Sequence, residues 1–218
     1  MALGCPHAGG SPLFIYCYKE NSVLKRKVTI AGPMCLMNQF TDANAEDATK
    51  GSRTSSATKS KGTPREQAEK CVYKSSDGKK IIFPSINMFA CICEAGKFFK
   101  SGRNKITTQK TSMLTYCLTV TGENNPMELN IITKEPWTVD SRRIVNPSTR
   151  GSMLKHRPLF IDWTLTFFLE IDTEDINEAL VREIVDAAGR KIGLGDYRIA
   201  CKGQFGRFTV TKWETVKV

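Results

Sequence analysis

The strongest constraint on the fold is a segment in which alternate positions carry large apolar side chains. Within residues 162–171 these positions hold Trp163, Leu165, Phe167, Leu169 and Ile171. A period of two residues is typical of a β-strand with one buried face. The segment therefore predicts a strand that presents a continuous apolar surface to the protein core.

The residues after this strand predict a helix that covers the apolar surface. Thr173 is expected to cap it, and Glu174 and Asp175 favour the positive end of a helix dipole. Apolar side chains then recur at helical spacing and form one stripe: Ile176, Leu180, Ile184, Ala188 and Ile192. Residues 173–191 are therefore expected to pack as an amphipathic helix on the sheet.

An earlier segment predicts a second helix of the same kind. Pro84 and Ser85 supply a stop and an N-cap, and the apolar face that follows is Met88, Ile92, Ala95 and Phe99. A short helix is also expected to begin near Pro64. Further strands are predicted at residues 24–30, 80–83, 113–121, 127–134, 137–145 and 207–213, with 153–158 forming a hairpin with the alternating strand.

This order of elements predicts an α+β fold with one antiparallel sheet. It resembles the ferredoxin-like, or RNA-recognition-motif-like, βαββαβ arrangement, in which two helices cover one face of the sheet and leave the other free. We expect a single domain over residues 1–218 with two insertions. Residues 41–63 read as a flexible basic loop because they contain almost nothing apolar beyond alanine, and residues 122–160 as a hairpin-rich insertion.

Positive charge is in excess and is concentrated. The 218 residues contain 32 Lys and Arg against 22 Asp and Glu, a net charge of +10. Between Lys50 and Lys110 there are 14 basic residues and 4 acidic ones. Such a bias favours a polyanionic partner. Two groups are candidates for phosphate contacts. One lies at and beyond the end of the helix that follows Pro84: Lys97, Lys100, Arg103 and Lys105. The other lies in the hairpins: Arg142, Arg143, Arg150, Lys155 and Arg157.

Other classes of protein are disfavoured. No apolar run is long enough to cross a membrane and the N-terminus does not read as a secretion signal, so we expect a cytoplasmic protein without a membrane partner. The eight cysteines form no Cys-x-x-Cys pair, and Cys91 and Cys93 point to different faces of a helix. We therefore expect reduced thiols that pack as small apolar side chains, with no metal and no cofactor.

The most informative stretch joins the last helix to the last strand. Residues 193–208 contain four glycines, Gly193, Gly195, Gly203 and Gly206, which allow a close backbone approach. Three cations suited to phosphate lie among them: Arg198, Lys202 and Arg207. The glycines follow a helix and open a strand, whereas those of a P-loop or a dinucleotide fingerprint follow a strand and open a helix.

This glycine-rich loop resembles the signature of the repeat-associated (RAMP) superfamily of CRISPR proteins. The strand, proline and helix of residues 83–96 resemble a segment of the superfamily's backbone subunits. The resemblance spans residues 24–214 and is most specific over 176–208. It implies a single-stranded RNA or DNA partner, with RNA favoured, assembly side by side along the strand or with other subunits, and no chemistry of its own. A viral or mobile-element relative with the same fold fits the same residues.

Two alternatives remain open at this stage. The endoribonuclease branch of the superfamily often uses a histidine as general base, and His156 is the candidate here, with Tyr197 as a partner. Cleavage could instead depend on a metal held by a cluster of acidic residues: Asp172, Glu174 and Asp175. Their position at the start of a helix already explains these residues, since acidic side chains favour the positive end of the helix dipole. The other alternative is a structural or inhibitory interaction protein of viral origin, in which charge serves assembly.

Overall fold

The computed structural model describes residues 23–39, 62–145 and 151–216, and these form an α+β structure built on an antiparallel sheet. Residues 41–61 of the predicted basic insertion 41–63, and Arg150, lie outside the described residues. The α-helices among the described residues are short. They are α1 (Pro64–Glu69), α2 (Ser85–Ala95), α3 (Leu114–Cys117) and α4 (Glu178–Ala187).

Most strands belong to the main sheet, and two form a separate small hairpin. The main sheet contains β1 (Val23–Leu36), β2 (Ile82–Pro84), β5 (Leu118–Thr121), β6 (Glu128–Thr133), β7 (Thr138–Val145), β8 (Ser152–Asp172) and β9 (Thr209–Thr215). The small hairpin pairs β3 (Lys100–Ser101) with β4 (Asn104–Lys105).

β8 is the central strand of the main sheet. One of its edges pairs with β1 from Val23 opposite Asp172 to Leu36 opposite Leu159. Its other edge pairs in turn with β7, β6 and β5, so one long strand supports three shorter ones. β9 pairs with the outer edge of β1, and β2 with β6.

The order β9, β1, β8, β5 across the sheet, with all pairs antiparallel, is the ferredoxin-like order. α2 lies in sequence between β1 and β5, and α4 between β8 and β9, as the βαββαβ pattern requires. The predicted α+β fold with insertions is therefore confirmed.

The apolar periodicities also have the predicted consequence. Trp163, Leu165, Phe167, Leu169 and Ile171 are all fully buried on one face of β8. In α2 the stripe of Met88, Ile92 and Ala95 is buried, and Phe99 lies partly buried just beyond the helix. In and beside α4, Ile176, Ile184, Ala188 and Ile192 are buried and Leu180 is partly so. The core thus lies between the sheet and these two helices.

Some predicted boundaries were wrong. Residues 153–158 are not a separate hairpin strand but the first half of β8, and their partner is β7. Residues 114–117 form a helical turn, so the strand predicted from 113 begins only at Leu118. Ser85 does not cap α2 but is its first residue.

The cap of α4 also differs from the prediction. The helix begins at Glu178, and Asn177 Oδ1 accepts from the backbone N–H of Ala179 at 2.8 Å. Glu174 lies outside the helix because its N–H is held by the Asp172 carboxylate in a local turn at 3.0 Å. A side-chain turn therefore delays the helix beyond Thr173. Beyond α4 a π-helical turn, Ala188–Ile192, leads into the glycine-rich loop.

Within the part of the chain that the structure describes, no helix combines the length and apolar character needed to cross a bilayer.

Candidate nucleic-acid interface

The glycine-rich loop, residues 193–208, is packed against its own protein. Gly195 and Gly206 have φ of +78° and +73°, a conformation that favours glycine. A Cβ atom would lie 2.2 Å from Leu36 O at Gly195 and 1.8 Å from Leu194 O at Gly206. At Gly203 it would lie 1.7 Å from Tyr197 O. These glycines therefore allow the loop to fold tightly on itself and on the end of β1.

Backbone hydrogen bonds attach the loop to β1. Asp196 N donates to Leu36 O and Gly206 N donates to Met34 O, each at 2.8 Å. Inside the loop, Leu194 N donates to Gly206 O at 2.9 Å and closes its two ends together. The loop is thus a fixed platform at one end of the sheet, and its remaining side chains are held at defined positions.

An ion pair ties the loop to β8. Arg157 Nη1 donates to Asp196 Oδ2 at 2.7 Å, and Arg157 is only 3% exposed. Burial by itself would raise the pKa of Asp196, but the hydrogen bonds from Arg157 and from the Tyr197 backbone outweigh it and hold that pKa below its ordinary value. In this structure Arg157 therefore serves to anchor the loop and is not presented to solvent.

Arg142 on β7 joins the hairpins to the loop. Its Nε lies 2.9 Å from both carboxylate oxygens of Asp140, and its guanidinium lies 4.7 Å from the centre of the Phe205 ring. The Tyr197 ring is within 6.0 Å. Two stretches separated by about sixty residues of sequence are thereby brought side by side.

A second set of cations approaches the loop from the end of α2. Arg198 Nη2 lies 3.8 Å from Glu94 Oε2, and Lys97 Nζ donates to the other oxygen of Glu94 at 3.2 Å. Lys97 leads directly into the β3–β4 hairpin, where Lys100, Arg103 and Lys105 are all exposed. Lys97 therefore adjoins the loop through Glu94, and the other three cations follow it in the hairpin.

Two further cations, Arg190 and Lys191, lie at the end of the π-helical turn, and the sequence pattern did not predict them as phosphate contacts. Arg207 Nη1 donates to Arg190 O at 3.3 Å, and Lys191 Nζ lies 4.3 Å from the centre of the exposed Phe98 ring. Arg190 and Lys191 are both exposed. Their position in the last turn before the loop was visible in the sequence, but a helix terminus also explains them.

The remaining predicted residues are spread more widely. Lys202 is exposed and has a left-handed backbone with φ of +62°. Lys155 is half-buried on β8, opposite Arg142, and Arg143 donates to Ser152 Oγ. His156 Nδ1 lies 2.7 Å from Ser141 Oγ. Since neighbours on a strand point to opposite faces, His156 lies on the other face of β8 from Arg157.

The cysteines are mostly packing residues. Cys35, Cys71, Cys91 and Cys117 are buried, and burial raises the pKa of the Cys91 thiol to about 12, which keeps it protonated and unreactive. Cys93 is half-buried and Cys201, in the loop, is exposed, so the prediction of burial does not hold for these two. Cys5 and Cys17 lie outside the described residues.

Comparison with known proteins gives a likeness of fold. No protein-family model and no curated protein sequence matches the chain. Solved structures do match. One is a chain in the cryo-EM structure of the Type III-B Cmr-beta bound to cognate target RNA, with a TM-score of 0.52 and 10% sequence identity. The match covers 90% of this chain and 61% of that chain, so this protein spans less than two thirds of its neighbour's length.

Proposed function

We propose that this protein binds single-stranded nucleic acid, RNA in preference to DNA, through the phosphate backbone and without catalysis. It would do so as one subunit of a CRISPR-type ribonucleoprotein. The observation that carries the proposal is the gathering of cations from separate stretches around one rigid glycine-rich loop, which includes Arg198, Lys202 and Arg207. Phosphates spaced along a strand call for such a distributed set of cations.

The basic residues differ in whether their side chains are exposed to solvent or held by a carboxylate. Lys100, Arg103, Lys105, Lys202 and Arg207 are exposed and available to phosphates. Arg157 is buried against Asp196, so its role is to position the loop. Arg142 is held by Asp140 and stacks on Phe205, and it positions the β7–β8 hairpin beside the loop.

The fold likeness and the sequence resemblance support the same function. The Type III-B Cmr-beta of the matching structure is bound to target RNA. The glycine-rich loop resembles the signature of the RAMP superfamily, and the segment 83–96 resembles part of its backbone subunits. We infer further copies of the chain or other subunits as protein partners, and a single domain in which residues 41–63 and 122–160 are insertions. Recognition of phosphate by side chains requires no cofactor.

The first test is fluorescence anisotropy with labelled single-stranded RNA, single-stranded DNA and duplex across a salt series, with a gel of the same samples. We expect salt-sensitive binding of intact single strands, strongest for RNA. Discrete RNA products that disappear in His156→Ala would replace the proposal with an endoribonuclease. Absence of binding at physiological salt would favour an interaction protein.

Variants of the loop make the test specific. Arg198→Ala and Arg207→Ala are each expected to weaken binding to every sequence and to flatten the salt slope by roughly 0.7. Lys134→Ala is a matched control because Lys134 is 81% exposed and lies at the end of β6. Affinity that is unchanged in both arginine variants would remove the loop from the interface.

A further inference from the structure

A pocket lies beside the glycine-rich loop, between α2 and the end of β1. Its volume is about 260 Å³, and its lining includes Asn38 after β1, Asn87 and Glu94 on α2, and Arg198 in the loop. Pockets for drug-sized ligands begin at about 300 Å³. A cavity of this size suits one small ring system.

The charges around this pocket differ from those of the surrounding rim. The charged residues that line it are Glu94, Asp196 and Arg198, and the Asp196 carboxylate is already paired with the buried Arg157. Glu94 Oε1 accepts from Lys97, and Glu94 Oε2 is left for a ligand, where an acceptor oxygen favours a group with N–H donors over a phosphate. The pocket accepts a neutral group that both donates and accepts hydrogen bonds.

The polar groups of the pocket have unused hydrogen-bonding capacity. Within the described residues, the side-chain amides of Asn38 and Asn87 form no hydrogen bond. Glu94 Oε2 and Arg198 Nη2 lie 3.8 Å apart, which is beyond hydrogen-bond distance. Tyr73 and Phe83 contribute aromatic surface to the same pocket. Glu94 Oε1 and Arg198 Nη1 already have partners, in Lys97 and Gly195 O, but a planar ring with polar edges would find aromatic surface and further hydrogen-bonding capacity here.

We propose that this pocket holds one unpaired guanine base of the bound strand. A guanine ring offers the two N–H donors, on N1 and on the exocyclic N2, that a carboxylate such as Glu94 accepts in parallel. Its O6 and N7 accept from the side-chain amide of Asn38 or Asn87. Adenine has no N1–H, so its N1 lone pair would face the carboxylate. The proposal rests on the proposed function, because the base is delivered by a strand held on the loop.

The test measures how one guanine or one adenine changes the affinity of an otherwise uniform oligouridine. The probes are labelled oligouridine and the same oligonucleotide with one internal guanosine or one internal adenosine. We expect the guanosine to raise affinity roughly tenfold and the adenosine to have no such effect. Glu94→Gln should abolish this preference while oligouridine still binds. Glu183→Gln, which removes the same charge from an exposed position on α4, should keep it.

A titration with free guanosine and free adenosine separates the two proposals. Strands that bind without any guanosine preference would overturn the pocket and leave the proposed function intact. Guanosine that binds the wild type but not Glu94→Gln, when strands do not bind, would support the pocket and overturn the function. Equal preference for adenosine, or a preference that persists in Glu94→Gln, would overturn the guanine assignment.

Discussion

At the scale of single residues, the loop requires glycine where another part of the backbone lies too close for a side chain. A Cβ at Gly206 would lie 1.8 Å from Leu194 O, whereas a Cβ at Gly102, which also has positive φ, would meet nothing within 4 Å. Gly206→Ala is therefore expected to lower the free energy of unfolding by about 3–5 kcal/mol, and Gly102→Ala by about 1 kcal/mol. Denaturant unfolding of both variants would measure this, and equal losses would show that the close approach has no energetic weight.

Glu178, the first residue of α4, predicts a dependence of stability on pH. Arg26 donates to its carboxylate at 2.7 and 2.8 Å and Trp213 Nε1 donates at 2.8 Å. The bonds from Arg26, opposed in part by burial, lower the pKa of Glu178 to about 2 from an ordinary value of 4.5. The stabilisation is therefore complete above about pH 4.5 and is lost as the pH falls toward 2.

The matching measurement compares the free energy of unfolding at pH 5 and near pH 2. Because the Glu178 side chain is 29% exposed, solvent screening reduces the effect, and we expect the wild type to lose about 1–2 kcal/mol more than Glu178→Gln over this range. Glu183→Gln should behave as the wild type does. If the free energy of unfolding fell by the same amount in the wild type and in Glu178→Gln, the lowered pKa of Glu178 would not be the cause of the pH dependence.

At the scale of elements, β8 separates the core from the open face of the sheet residue by residue. Phe167 is fully buried, whereas its neighbour Phe168 lies half-buried on the other face, with Lys25 Nζ 5.2 Å from its ring centre. Phe167→Ala is expected to cost about 3–5 kcal/mol of stability and Phe168→Ala less than about 1.5 kcal/mol. Thermal and denaturant unfolding of both variants would test which side chains of β8 face the core. Similar losses of stability in the two variants would contradict this assignment.

The elements also show where sequence patterns are reliable. The alternation in 163–171 and the stripes in α2 and α4 predicted the right elements because a repeated burial constraint acts on many residues at once. The ends were less well predicted. Asn177 and not Thr173 caps α4, since a single local turn at Asp172 and Glu174 is enough to move a boundary.

At the scale of the whole molecule, the distribution of charge predicts how salt affects binding. The β3–β4 hairpin, which follows Lys97 in the sequence, carries three exposed cations: Lys100, Arg103 and Lys105. Replacing all three with glutamine should weaken binding of single-stranded RNA and flatten the slope of log affinity against log salt by roughly 2, without loss of stability. Salt-series anisotropy would measure it.

A matched charge control strengthens that experiment. Lys70, Lys74 and Lys134 are also exposed, and the triple glutamine variant of these residues has the same net charge as the hairpin variant. We expect its slope to stay closer to that of the wild type. If both variants lose the same slope, binding depends on net charge alone and no interface is defined.

The sequence by itself determined the fold class, the central strand and the two covering helices, because each rests on a periodic pattern of burial. It also identified the glycine-rich loop and most of the cations around it. Only the tertiary structure decided which of these cations are exposed to solvent and which are held by a carboxylate. Arg157 and Arg142 look like their neighbours in the sequence, but their carboxylate partners Asp196 and Asp140 reach them through loop packing and strand geometry. The pocket at Glu94 and Arg198 likewise exists only because α2 and the loop, about one hundred residues apart, meet at the end of β1.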